Sequence, residues 1–337
     1  MVSCADIFDF FKKEIVFFIS LILAILSCFF VNPSADYLNY INWDTIILLF
    51  VIMLIVEILK NLSLFEILVC KLLNRTNNAR VLVFILVFIC FFSSILITND
   101  VSLIIFVPFA ILALKKVNRK DLIILTVSLQ TIAANVGCMV LPIGAPHNIV
   151  LYTSYNIGFQ SFLLLLAPYI LVSVMFVVAI IFFIKSEPVE LPKICITKVN
   201  KNNFIRKVFL GVDYYLLLTF IALFILIGNL ERIPFFSSFF KSFILGNEVI
   251  CGVIVSQFIS NVPAAMLLIG FSSNYKAIII GINIGGFGTL IASMANLISY
   301  KLLADECDEF KTRYLFVFTV LNVLLLLILL AVYYLTS

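Results

Sequence analysis

The stretch Asn135-Val-Gly-Cys-Met-Val-Leu-Pro-Ile-Gly-Ala-Pro-His-Asn148 constrains this chain more than any other. It lies inside apolar sequence, yet it cannot continue as one helix. Pro142 and Pro146 lack a backbone donor and clash with the preceding turn. Gly137 and Gly144 add backbone freedom. In lipid an unpaired backbone group costs several kcal/mol, so a break survives only where protein buries it or a watery cavity reaches it. An interrupted helix presents its ends in mid-membrane, and helix ends attract ions. The stretch reads as half of a transport site. The alternatives are a plain loop between two short spans and a proline kink. A partner stretch later in the chain favours the site.

Composition sets the environment. Of 337 residues, 64% are hydrophobic and 12% charged, and the mean hydropathy is +1.23. A soluble domain is nearer half apolar and a quarter charged. Long apolar runs, rather than alternation, point to an all-α polytopic membrane protein. The eight cysteines (Cys4, Cys28, Cys70, Cys90, Cys138, Cys195, Cys251 and Cys307) are scattered and form no CxxC pair. They read as small buried thiols rather than disulfides or zinc ligands. Enzyme templates fail, since there is no HExxH and no nucleophile elbow. Without a Walker loop, ATP-driven transport is unsupported. Nucleic acid is not an expected partner, and no cofactor is expected beyond sodium.

Four regions follow in order. Residues 1–80 hold two spans, at roughly 14–31 and 44–60, and an amphipathic surface helix at 61–75; this is the scaffold. Residues 81–184 form a first core: an apolar pair (81–97 and 101–114), the broken helix, and a span at 161–184. Residues 185–211 read as a polar, basic cytoplasmic linker. Residues 212–335 hold a span (212–230), an interfacial segment (233–245), two short arms (249–259 and 263–271), a second broken stretch (281–296) and a last span (312–335). Arms of about 10 residues reach about 15 Å, half the roughly 30 Å of hydrocarbon. The second pair must therefore be a re-entrant hairpin, and the first takes the same role because each is followed by a broken helix and a span. With the N-terminus in the cytoplasm, most Lys and Arg fall on inner loops. The two halves then have opposite orientation, an inverted repeat with two re-entrant hairpins and two broken transmembrane helices, in the cytoplasmic membrane.

The first hairpin tip is Thr98-Asn99-Asp100. An ionised Asp at the bilayer centre costs at least about 2.5–3.5 kcal/mol, so it needs a cation, a proton or a polar partner. Thr98, Asn99 and Asp100 either join carbonyls of the broken stretch around a cation or leave Asp100 to carry a proton. The alternative is a pair of true spans with Asp100 solvated at an outer loop. At the second tip, Ser260 and Asn261 can coordinate sodium, donate to an anion or simply cap a helix. The Gly-rich run containing Gly286 lets backbone approach a ligand, and Thr289, Ser293 and Asn296 follow at helical spacing. Small-residue helix packing is the alternative there. Glu57 reads as interfacial and His147, the one histidine, as structural.

At Thr98-Asn-Asp100, Leu141-Pro-Ile-Gly-Ala-Pro-His-Asn148, Ser260-Asn-Val-Pro263 and Asn283–Asn296 the chain resembles the ion transporter superfamily. That group includes dicarboxylate and citrate symporters, arsenite permeases and certain sodium/proton antiporters. The resemblance covers about 44–335. It implies ion-coupled movement of a small anion by an elevator-type motion in a homodimer. It implies one cation site around Asn99, Gly144 and Asn148 and another around Asn261 and Thr289; by its own charge Asp100 is a further candidate for sodium at the first. The tips depart from the Ser-Asn-Thr of the carboxylate symporters, and Asn99-Asp100 is closer to the arsenite permeases. The expected function is secondary transport of a small carboxylate or inorganic oxyanion, coupled to sodium or protons. Cation/proton antiport through Asp100 and a passive channel are the competing expectations.

Overall fold

The computed structural model describes residues 15–34, 36–61, 78–189 and 204–336. Among these the chain is helical, with one isolated bridge between Asn78 and Pro188. The first helices are α1 (Ile15–Cys28), α2 (Trp43–Asn61), α3 (Ala79–Leu96), α4 (Asn99–Lys116), α5 (Ile123–Gly137), α6 (Pro146–Ser154) and α7 (Phe159–Phe182). From residue 204 onward come α8 (Phe204–Gly211), α9 (Tyr214–Arg232), α10 (Pro234–Ile244), α11 (Glu248–Ile259) and α12 (Asn261–Phe271). The chain ends with α13 (Tyr275–Gly285), α14 (Met294–Glu306) and α15 (Lys311–Thr336). Four stretches are long and apolar enough to cross a membrane: Ala79–Leu96, Phe159–Phe182, Tyr214–Arg232 and Asp308–Thr336. The chain is thus a multi-pass membrane protein.

Local chemistry sets the helix starts. The Asn78 side chain accepts from Arg80 N at the head of α3, and Asp213 accepts from Leu216 N at the head of α9, which satisfies otherwise open donors. Pro146 and Pro234 occupy first-turn positions, where the missing donor costs nothing. Between α11 and α12 the turn is a single residue, Ser260, held at φ +73. A side chain in the left-handed region carries strain that surrounding contacts must offset.

Packing divides the chain in two. One apolar core joins α3, α4, α5, α7 and α11 to α15, through buried residues such as Leu86, Val127, Ile278 and Phe318. A smaller core sets Leu49 and Val56 of α2 and Phe220 and Leu223 of α9 against Ile149, Val150, Val262 and Met266. Contacts inside the larger body come in matching pairs. The first arm of each hairpin lies on the first half of the broken helix after it, α3 on α5 and α11 on α13. The second arm of each lies on the second broken half of the other region, α4 on α14 and α12 on α6. Their far ends are tied alike: Lys115 Nζ donates to Glu306 O at 2.9 Å, and Tyr155 OH to Ser272 O at 2.7 Å.

The linker expected at 185–211 differs at both ends. Its start folds back onto α3, with Ala79 N donating to Glu187 O at 2.9 Å. Its end is the helix α8, packed on α2. The amphipathic helix expected at 61–75 and the linker's middle lie outside the described residues.

Candidate functional site

Each broken helix is closed by its own asparagine. In the first, α5 stops at Gly137, a short turn covers Pro142–Gly144, and α6 starts at Pro146. Asn148 Nδ2 donates back to Cys138 O at 3.0 Å, capping a carbonyl the lost helix leaves open. Gly144 is required here, because an added Cβ would stand 2.6 Å from Cys138 Cα. In the second, α13 stops at Gly285 and α14 starts at Met294. Asn296 Nδ2 donates to Gly286 O and Thr289 O, both at 3.0 Å. Gln257 of the neighbouring hairpin adds bonds to Gly285 O at 2.9 Å and Phe287 O at 3.0 Å. Its Oε1 accepts from Thr289 N at 2.9 Å.

The two breaks are bonded to each other. Asn135 Nδ2 donates to Asn296 Oδ1 at 2.8 Å, and Asn283 Nδ2 donates to Asn148 Oδ1 at 2.8 Å. All four side chains are buried. The first tip joins them, with Asn99 Nδ2 donating to Asn135 Oδ1 at 2.9 Å. The second tip joins through its backbone, with Asn261 N donating to Ala292 O at 3.0 Å.

A cavity of about 570 Å³ lies where the tips meet α2 and α9. Of the residues singled out in the sequence, Thr98, Asn99, Asp100, Asn261 and Ser293 line it, joined by His147; His147 and Ser293 stand at the starts of the second half-helices. Ser260, Gly144, Asn148, Gly286 and Asn296 are buried behind the wall. Thr289 is not on the wall; it is exposed, and its hydroxyl donates to Gln257 O at 3.3 Å. Glu57 is buried and lines the cavity together with Asp213. The lining therefore carries three carboxyls and, among the described residues, no Lys or Arg. One oxygen of Asp100 is buried without a hydrogen-bond partner.

Sequence inspection alone passes over Asn135, Asn283 and Gln257 as site residues. A signal for the first two exists. Asn135 and Asn148 stand thirteen positions apart, as do Asn283 and Asn296, and a spacing repeated across two interrupted stretches marks equivalent positions. Gln257 carries no such mark.

A family model described as citrate transporter matches residues 7–276. An uncharacterized transporter of Methanocaldococcus jannaschii is 32% identical over 315 residues, covering 85% of this chain and 88% of that protein. Inner membrane protein YbiR of Escherichia coli is 28% identical over 342 residues, covering 86% and 88%. A transporter named arsB of Dictyostelium discoideum is 30% identical over 127 residues, covering 37% of this chain and 22% of that protein. These relatives are named as transporters or membrane proteins, none as an enzyme. Interrupted helices closed by asparagines, tips gathered at one cavity and a match across most of the chain agree, and the protein belongs to the citrate transporter family, within the ion transporter superfamily that its motifs resemble.

Proposed function

We propose that the chain is a secondary active transporter whose translocation site is the cavity between the two tips. The observation that carries this is one cavity walled by both tips and by the starts of both second half-helices. The matched contacts of α3–α7 with α11–α15 support an inverted repeat. Arms of 12 and 11 residues in the second hairpin reach about 18 and 16 Å at the helical rise, which favours a re-entrant hairpin over two spans. In this assignment residues 1–80 are scaffold, 81–184 and 212–335 the two repeats, and 185–211 the connection. With the N-terminus in the cytoplasm, Glu57 and Leu210–Leu216 sit at the inner end, so the cavity faces inward.

The solute is a small oxyacid that carries little net negative charge at the wall, with arsenite favoured over citrate. Asp100 and Asp213 on the wall, with no Lys or Arg among the described lining residues, repel a multiply charged carboxylate. A sodium ion or proton at Asp100 supplies the coupling, since its unpartnered oxygen accepts either. Asn261 holds a second cation with backbone carbonyls rather than with Thr289, which is exposed and lies off the cavity wall. The same acidic wall also favours a second reading, cation/proton antiport through Asp100.

Uptake into proteoliposomes separates these. Citrate, succinate, arsenite and sodium are offered under imposed sodium or proton gradients. Uphill accumulation of arsenite is expected; sodium movement with no solute uptake selects the antiporter. Flux that only ever runs downhill, with no coupling, defeats both and leaves a channel.

A further inference from the structure

Two hydrogen bonds cross between the breaks at equivalent positions, and they define a device that the tips and cavity do not include. In each stretch the second asparagine has its amide bonded to a carbonyl ten residues upstream, Asn148 to Cys138 O and Asn296 to Gly286 O. That bond fixes the rotamer and leaves the side-chain oxygen pointing away. The oxygen is then taken by the first asparagine of the opposite stretch, Asn283 for Asn148 and Asn135 for Asn296. The exposures are 4% for Asn135, 3% for Asn283 and 0% for both partners, so both bonds are shielded from solvent. Neither Asn135 nor Asn283 lines the cavity. The two also differ. Asn135 Oδ1 accepts from Asn99 of the tip and from Ser293, whereas Asn283 Oδ1 is buried with no partner.

We propose that Asn135 and Asn283 are positioning residues that act as a crossed clamp. Each holds the opposite broken helix at a set distance, so that Asn99, Asn148 and the break carbonyls present one fixed constellation to solute and cation. A side-chain amide bridge can hold such a distance because its partners are buried and have no competing water. Removing one member strands its partner's oxygen in the core, and the break then relaxes rather than the whole helix. Through Asn99, loss of Asn135 also frees the first tip, while loss of Asn283 frees only the break around Asn148. The inference rests on the transport reading given above.

The test is a set of double-mutant cycles in full-length protein reconstituted into liposomes, using the panel solute that wild type accumulates. Asn135→Ala and Asn283→Ala are expected to raise the half-saturating concentration about tenfold while the maximal rate stays within about twofold. N283A/N148A is expected to be no worse than N148A alone, and N135A/N296A to fall short of the product of its single variants, the remainder being the Asn99 and Ser293 bonds that Asn135 makes besides. The crossed combination N135A/N283A is expected to multiply. Multiplication inside the pairs, or a fall in maximal rate with unchanged half-saturation, overturns the clamp. Should the alanine variants elute as aggregates, Asn135→Ser and Asn283→Ser are placed in the same cycles. Their melting temperatures in detergent must then couple inside pairs and add between them, and additivity throughout overturns the clamp. If wild type accumulates no solute, the transport reading fails by itself, and the melting cycles still decide whether the crossed pairs exist.

Discussion

Gly144→Ala tests the geometry of the first break most directly. An added Cβ would stand 2.6 Å from Cys138 Cα, 2.8 Å from Cys138 O and 3.0 Å from Ser94 O. All three are backbone atoms, so no side chain can swing aside. Ordinary contact begins near 3.4 Å, so the turn must open by about 0.8 Å against the loop it closes. Overpacking of this kind costs about 1–3 kcal/mol. The opening also stretches the bond from Asn148 Nδ2 to Cys138 O, now 3.0 Å, and losing it adds about 1 kcal/mol. Against this, alanine lowers the entropy of the unfolded chain by an equivalent of about 0.4–1 kcal/mol. The net effect is a destabilisation of about 1–3 kcal/mol. It is read as a lower thermal midpoint of the detergent-purified protein, followed by size-exclusion chromatography after heating. Gly286→Ala is the internal control. Its Cβ would stand 3.4 Å from Asn261 Nδ2 and from Asn283 O, and Cys138 holds the matching place in the first break, so a midpoint near wild type is expected. A Gly144→Ala midpoint equal to or above wild type refutes the packing argument.

Asp100→Asn is expected to abolish gradient-driven accumulation while membrane expression stays intact; unchanged uptake takes Asp100 out of the mechanism. Asn261→Ala is expected to move the sodium dependence of uptake to higher concentration, and overlaid titrations of variant and wild type remove that assignment. Outside the membrane, Arg119 donates to Asp121 at 2.9 and 2.8 Å and to Glu187 at 2.8 Å. The hydrogen bonds from Arg119 hold the Asp121 carboxyl below its usual range. A depressed carboxyl stabilises the fold above its unfolded value, about pH 4, and loses that contribution as pH falls through its folded value. Arg119→Ala should therefore lower the thermal midpoint slightly at neutral pH, with the two curves converging in acid; a constant gap across pH counts against the pair.

Much of the architecture was legible because lipid leaves a chain few choices. Pro142 and Pro146 inside apolar sequence announce a break in any environment, and in a bilayer a break must be buried in protein or reached by water. The glycine run at 285–288 announces the second. The hairpin joint at Ser260 was legible too, since two short arms leave room for little else. The amides were harder. Asn99 and Asn261 stand out as tip residues, but Asn135 and Asn283 sit inside helices, where a buried amide means nothing until its partner is known. Thr289 was placed by its neighbours in the chain rather than by its neighbours in space. Its place in the second break suggests a ligand, yet it is exposed off the cavity wall and bonded to Gln257, some thirty positions earlier.

Sequence by itself determined that this protein is helical, spans a membrane several times, breaks two of its helices and belongs among transporters. Those properties follow from hydropathy, from proline and glycine, and from local motif, each readable along one dimension. Only the tertiary structure decided which polar groups meet: Asn135 with Asn296, Asn283 with Asn148, and Asp100 with Glu57 and Asp213 around one cavity. The partners lie more than a hundred positions apart in both asparagine pairs. A buried amide bonds to whatever packing brings within 3 Å, and that depends on how the two halves interlock rather than on the residues next to it in the chain.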